Sequence, residues 1–284
     1  MPEIVFLSIF SAGPGGGNPA PIVPDARGMA DEAMRALAAH HGHESAFVLP
    51  PTDPATTDRR FRFFVPAHEM EMCGHATLGA AWLLRRRGEA TGGVLRIETL
   101  SGPVRAIFVE DRVEVTQPQG SATPIADPAE LLAVLGLTPD DLADAPIQNA
   151  ATSRVKTLVP LRSLDRLHAL SPDPEAVRRA CDAIGSTGLY PYALAAPDRA
   201  HARQFPRSSG YPEDAATGIA ATALFAGLRV LGAAGPALTV RQGEAMGRPS
   251  EILVTRDPEG SGCRLSGRVE LIEAIQPVRA PTSA

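Results

Sequence analysis

The sequence has few cysteines, and none of them is placed to pair with another. Cys73, Cys181 and Cys263 are widely spaced in a chain of 284 residues, with no CxxC pair. That spacing excludes a disulfide framework and a zinc site built on paired cysteines. There is no block of lysine and arginine, and the net charge is -5. A nucleic-acid groove and an anionic membrane surface are therefore not expected as partners. No apolar run reaches the roughly 18 residues needed to cross a bilayer. The opening "MPEIVFLSIF" has no basic n-region and is interrupted by Glu3. Together these absences lead us to expect a soluble protein of a reducing, cytoplasmic compartment.

Two cofactor signatures are missing as well. "HHGHE" brings His40, His41, His43 and Glu44 close in sequence. Histidines that share a metal on one helix face usually stand four apart, as in HExxH, and adjacent His40 and His41 point in different directions. No metal is expected there. The glycines of "GPGGGNP" (13–19) lack the GxGxxG order running straight into a helix, so no dinucleotide is expected either.

What is present is a globular composition, 44% hydrophobic and 21% charged, in a chain long enough for two modest domains. With 26 glycines and 27 prolines, many short elements joined by tight turns are expected rather than a helical bundle. "EIVFLSIF" reads as a first strand, and "SAGPGGGNPAPIV" as a loop running into a second. "MADEAMRALAAHH" suits a helix with Met29, Ala33, Leu37 and His40 on one face, stopped by Gly42. "ESAFVLPP" and "FRFFVP" are strands. "EMEMCGHATLGAAWLLRRRG" then leads into a helix that stops at Gly88, and "VLRIETL", "VRAIFVE" and "RVEVTQ" form an antiparallel meander. A segment rich in Pro, Ala, Ser and Thr, residues 117–128, is the best candidate linker.

The halves echo each other. "EMEMCGHATLGAAWLL" from Glu69 can be written over "EDAATGIAATALFAGL" from Glu213. This pairs Glu69 with Glu213, Cys73 with Thr217, Gly74 with Gly218 and Ala76 with Ala220. Both segments are followed by strand, turn and strand. Each is apolar on all sides, so each predicts a helix buried inside a curved sheet. Both also begin with a small residue and glycine, which lets a ligand approach the backbone. A helix start with open N–H donors and a positive dipole end suits a carboxylate or phosphate.

Five segments in a fixed order resemble the PhzF-like family of phenazine biosynthesis, within the diaminopimelate epimerase fold superfamily. They are "GNPAPIV" (17–23), "ESAFVLPP" (44–51), "MCGHATLGAAWLL" (72–84), "PEDAATGIA" (212–220) and "QGEAMGRPSEI" (242–252). The resemblance implies an α+β fold of two similar lobes, each a curved, mostly antiparallel sheet around a central helix. It also implies an active site between the lobes, no cofactor, and a homodimer. The lobes are expected at 1–117 and 118–267, with a strand near 268–278 returning to the first.

The resemblance also implies site residues. Related epimerases and proline racemases use two cysteines, one at each helix start. Cys73 stands at the first position, but Thr217 occupies the second, and a hydroxyl is far too weak an acid to replace a thiolate. A symmetrical two-thiol racemase is therefore not expected, and Cys73 is expected to pack as a small residue at the helix start. In the PhzF-like group the acid/base is a glutamate that begins a strand, which matches Glu44. Partial burial there would raise its pKa toward the range a carbon-proton shuttle needs. His75, in a first helical turn, is expected to be neutral and able to donate to a substrate oxygen. Asp214 matches the family's site aspartate, which orients a polar group of the substrate. Asn18, Cys73, Gly74, Ala76, Thr217, Gly218 and Ile219 are the expected substrate contacts.

Two residues depart from the family pattern. Ile219 stands where a serine is usual, and Ala215 where proline is common. Loss of the serine hydroxyl argues against the isomerisation for which the family is named, and for a different substrate. The function expected is a cofactor-independent isomerase or epimerase that moves a proton between carbons of a small anionic carboxylate metabolite. The alternatives are a catalytically silent metabolite-binding protein on the same fold, and a hydro-lyase using the same proton abstraction.

Overall fold

The computed structural model describes residues 2–273. They gather into two compact units. The first takes the residues up to Ser11, Asn18–Thr116 and those from Ser266, and the second takes Ala12–Gly17 and Gln117–Leu265.

The first unit begins with β1 (Val5–Ile9), β2 (Asn18–Val23), α1 (Asp31–His41), β3 (Ser45–Leu49) and β4 (Arg59–Phe64). It continues with β5 (Glu69–Met70), α2 (Gly74–Arg86), β6 (Val94–Thr99), β7 (Gly102–Val109) and β8 (Arg112–Gln117). Its pairings are antiparallel except β2 with β3 and β4 with β6. Helix α2 is the crossover between β4 and β6, and it packs against β1, β2 and β3. Gly74 to Ala81, Leu83 and Leu84 are all buried, as an all-round apolar helix requires. Helix α1 covers another face through Met34 and Ala38, which pack with Val23, Phe47 and Phe64. The expected stripe is thus turned: Ala33 and His40 are exposed, and Met29 and Leu37 sit at its edges.

The second unit contains β9 (Ser121–Pro124), α3 (Ala129–Leu135), β10 (Gln148–Ala151), β11 (Val155–Leu161), α4 (Leu164–His168) and α5 (Pro174–Ile184). It continues with β12 (Gly188–Ala196), β13 (Arg199–Ala202), β14 (Phe205–Pro206), α6 (Gly218–Val230), β15 (Ala237–Gln242), β16 (Ser250–Arg256) and β17 (Cys263–Ser266). Every residue of α6 from Gly218 to Leu228 is buried. A last strand, β18 (Val269–Leu271), pairs antiparallel with β1. The rest of the expected terminal strand, 274–278, lies outside the described residues.

The duplication is deeper than the two helix sequences suggest. In the first unit β2 and β3 are parallel across α1, and β4 and β6 are parallel across α2. In the second, β11 and β12 are parallel across α4 and α5, and β13 and β15 are parallel across α6. Even the glutamates aligned from sequence do the same job. Arg62 grips Glu69 with Nε and Nη2 at 2.7 and 2.6 Å, and its guanidinium lies 5.1 Å from the Phe64 ring. Arg203 grips Glu213 at 2.8 and 2.6 Å, and lies 4.9 Å from the Phe205 ring.

Two segments differ from the sequence reading. The candidate linker at 117–128 contains β9, which pairs antiparallel with β10. Its small and β-branched residues fit an edge strand as well as a linker. Residues 12–17 belong with the second unit because their backbone is held there. Ala12 N–H donates to the Pro249 carbonyl at 3.1 Å, and Gly17 N–H donates to Ser250 Oγ at 3.1 Å. A Cβ at Gly16 would lie 1.9 Å from the Pro249 carbonyl oxygen, so only glycine allows this approach.

Candidate active site

Glu44 immediately precedes β3, after α1 has ended at Gly42 in the left-handed conformation. Cys73 is the N-cap of α2, and His75 lies in that helix's first turn. The fold of the first unit brings these three side chains together. The Cys73 thiol donates to Glu44 Oε2 at 3.1 Å and lies 3.3 Å from His75 Nδ1. His75 Nδ1 is 3.5 Å from the same carboxylate oxygen. The side chains of His75 and Glu44 are 6% and 19% exposed, so the carboxylate is largely desolvated yet reachable. A proton on any of the three atoms has two acceptors within 3.5 Å. Such a group can take up a proton, hold it and return it.

Cys73 is buried, as expected of a residue packing at a helix start, but it does more than pack. Its thiol bridges Glu44 and His75, a contact hidden from sequence because Glu44 lies 29 positions away. The other two thiols are different. Burial pushes Cys181 up to about 11 and Cys263 up to about 12. Neither is a nucleophile near neutral pH. We expect iodoacetamide at pH 7.5 to leave Cys181 and Cys263 unmodified in the native protein and to label both in denaturant, read by peptide mass spectrometry. Native labelling of either would contradict the packing described here.

The second unit holds a matching arrangement. Thr217 is the N-cap of α6, and its hydroxyl donates to Asp214 Oδ2 at 2.5 Å. Gln242, wholly buried at the end of β15, organises this cluster. Its amide nitrogen donates to the Asp214 carbonyl at 2.7 Å and to Thr217 Oγ1 at 3.1 Å. Its amide oxygen accepts from Tyr190 Oη at 3.0 Å and from Thr217 N–H at 3.3 Å. Burial, followed by the nearby Asp214 charge, pushes the Tyr190 phenol well above its ordinary range, so it stays a donor.

Both N-cap residues therefore turn their side chains toward a carboxylate, and neither caps its own helix. Each helix start keeps first-turn N–H groups without a side-chain cap, a setting that favours an anion. Gly74 and Ala76 line the first turn of α2, and Gly218 and Ile219 that of α6, all buried. Asn18 opens β2, buried and in register with Ile9. Within the first unit Glu44, Cys73 and His75 converge, and within the second Asp214 and Thr217 do. Gln242 and Tyr190 were not singled out from sequence. The available signal for Gln242 was its place at the head of "QGEAMGRPSEI". Of the "HHGHE" run, only Glu44 joins a group of ligand-type side chains among the described residues.

The matches to known proteins decide the family. A model of phenazine biosynthesis-like proteins, PhzC–PhzF, matches residues 7–272. The chain belongs to the phenazine biosynthesis-like family. An uncharacterized isomerase of Deinococcus radiodurans is 32% identical, with 96% of this chain and 91% of the relative covered. The uncharacterized isomerase YddE of Escherichia coli is also 32% identical, covering 95% of this chain and 96% of its own. The crystal structure of a PhzF-family phenazine biosynthesis protein from Bacillus anthracis superposes with a TM-score of 0.83 at 28% identity, over 95% of this chain and 96% of that one. Membership of this family supports isomerase or epimerase chemistry and leaves the substrate open. Among the described residues no helix is long and apolar enough to cross a membrane.

Proposed function

We propose that the protein is a cofactor-independent isomerase in which Glu44 removes a proton from a carbon of a small carboxylate metabolite and returns it to another carbon. The observation that carries this reading is the convergence of Glu44 Oε2, Cys73 Sγ and His75 Nδ1 within 3.1–3.5 Å. Glu44 accepts the proton, and the electron pair left on carbon spreads onto a conjugated oxygen of the substrate. His75, in the first turn of α2, donates a hydrogen bond to that oxygen. Donors already in place where charge develops are the most effective way to lower such a barrier. The Cys73 thiol steadies the carboxylate before the transfer. Within the first unit, first-turn N–H groups at Gly74 bind an anionic group of the substrate; within the second, Asp214, Thr217 and the first turn at Gly218 are equipped to hold a polar or anionic group in the same way. Ile219, in the place of the family's usual serine, makes the first turn of α6 more apolar, which argues against the phenazine-type reaction and for a different substrate.

The test is a panel of small carboxylates incubated with the protein in deuterated water and read by NMR. Deuterium should enter at least one ligand at carbon, and Glu44→Gln should stop it. Exchange that persists unchanged in that variant would sink the assignment of the base. A second reading rests on Ile219: a binding protein that has lost turnover. It gains if carboxylates raise the melting temperature of the wild-type chain but none takes up deuterium.

A further inference from the structure

Away from the residues above, the second unit gathers three ligating side chains from three elements. His168 ends α4, His201 lies on β13, and Glu244 begins the short 3₁₀ turn Glu244–Met246 that follows β15. His201 Nδ1 lies 2.5 Å and His168 Nε2 3.5 Å from the same oxygen, Glu244 Oε2. The three ligand atoms fall within 4.8 Å of one another. We propose that His168, His201 and Glu244 form a binding site for one divalent transition-metal ion of the zinc class.

The donor set favours such an ion. Two imidazole nitrogens and one carboxylate suit zinc and its late first-row neighbours better than calcium or magnesium, which prefer oxygen. Three protein ligands also leave a coordination position for water. Bonds of about 2.0–2.1 Å in tetrahedral geometry put ligand atoms roughly 3.3 Å apart. The His168–Glu244 separation of 3.5 Å already meets that spacing. The His201–Glu244 contact, 2.5 Å as a hydrogen bond, has to open by a modest rotation of the Glu244 side chain.

The backbone that carries these groups is anchored independently of any ion. Strands β13 and β15 are parallel, with His201 opposite Arg241 and Ala202 opposite Gln242, so Glu244 emerges next to His201. The turn that holds Glu244 starts at Gly243, whose φ is 78°. A Cβ there would lie 2.2 Å from the Arg248 carbonyl oxygen. Arg203 donates to the carbonyls of Leu167, His168 and Leu170 at 3.2, 3.0 and 2.6 Å, which fixes the end of α4. Ligands held this way lose little freedom on binding, so more of the coordination energy appears as affinity. The cluster is sheltered but open, with side-chain exposures of 36%, 19% and 25% for His168, His201 and Glu244. Among the described residues a competing cation is Arg241, 4.0 Å from the other Glu244 oxygen and 54% exposed, a weak and solvent-screened rival.

Chelator-treated full-length protein should be titrated with Co²⁺ and read by visible absorption, and with Zn²⁺ and read by thermal denaturation. One Co²⁺ should bind with d–d bands typical of nitrogen and oxygen ligands, and Zn²⁺ should raise the melting temperature by tying α4 to the β13–β15 edge. His168→Gln, His201→Gln and Glu244→Gln should each weaken binding by about tenfold or more. His168 is exposed enough for its variant to remain folded, which circular dichroism would verify. Absence of binding, or a Co²⁺ spectrum unchanged by His168→Gln and His201→Gln, would overturn the proposal. So would a thiolate-to-cobalt charge-transfer band accounting for all the bound ion, because that places it on Cys73.

Discussion

If Glu44 is the proposed base, Glu44→Gln is expected to lower the rate of carbon-bound hydrogen exchange by about 10²–10⁴-fold, the usual contribution of a positioned general base. The substitution keeps the shape of the side chain and removes its capacity to take a proton. Neither the Cys73 thiol nor the His75 ring, at 3.1 and 3.5 Å from Glu44 Oε2, stands where the carboxylate stands, so neither replaces it fully. The cost to stability stays near about 1 kcal/mol, since a thiol is a weak donor and the amide oxygen still accepts from it. The measurement is initial-rate deuterium incorporation by NMR, with urea denaturation alongside. A large fall in rate with an unchanged denaturation midpoint is expected. A fall in both would place Glu44 in the framework rather than in the reaction.

Arg203→Met is expected to be the most damaging single change to the fold of the second unit. The Arg203 and Glu213 side chains are 9% and 11% exposed, and the guanidinium grips the carboxylate with two hydrogen bonds. The same guanidinium also satisfies the carbonyls of Leu167, His168 and Leu170. Removing it leaves a buried carboxylate and takes the donor from the His168 and Leu170 carbonyls, while that of Leu167 keeps the Leu170 N–H at 3.4 Å. Breaking one side of a buried ion pair typically costs about 3–5 kcal/mol, more than a mutation that only trims apolar contact with Phe205. The double variant Arg203→Met with Glu213→Leu should recover part of the loss, because no uncompensated charge remains. Urea midpoints of the two variants decide it: equal destabilisation would mean that the carbonyl contacts, and not the ion pair, dominate.

How far the sequence could be read depended on how local each feature is. The all-round apolar character of 74–84 and 218–228 needs no tertiary information, and both form the buried central helices. The alignment of Glu69 with Glu213 likewise required only the pattern, and the two residues hold equivalent arginines. The stripe of α1 was misplaced by a fraction of a turn, because alanine-rich helices leave the buried direction to the partner surface. The strand at 121–124 read as a linker, because an edge strand of small polar residues carries no periodic signal of its own.

The functional groups were legible only in part. Glu44 alone reads as an ordinary loop carboxylate, and only the resemblance of five ordered segments singled it out. Nothing local to Cys73 reveals that its thiol meets Glu44. The partners of Gln242 are similarly remote, with Tyr190 52 positions away. By itself the sequence determined the two buried apolar helices, their glycine-bearing starts and the threonine in place of a thiol at the second start, because these follow from residue type and spacing along one segment. Only the tertiary structure decided that Cys73 joins Glu44 and His75, that Gln242 holds Asp214 and Thr217, and that His168, His201 and Glu244 meet. Those contacts depend on strand pairing and helix packing between distant segments, and burial then gives each hydrogen bond its weight.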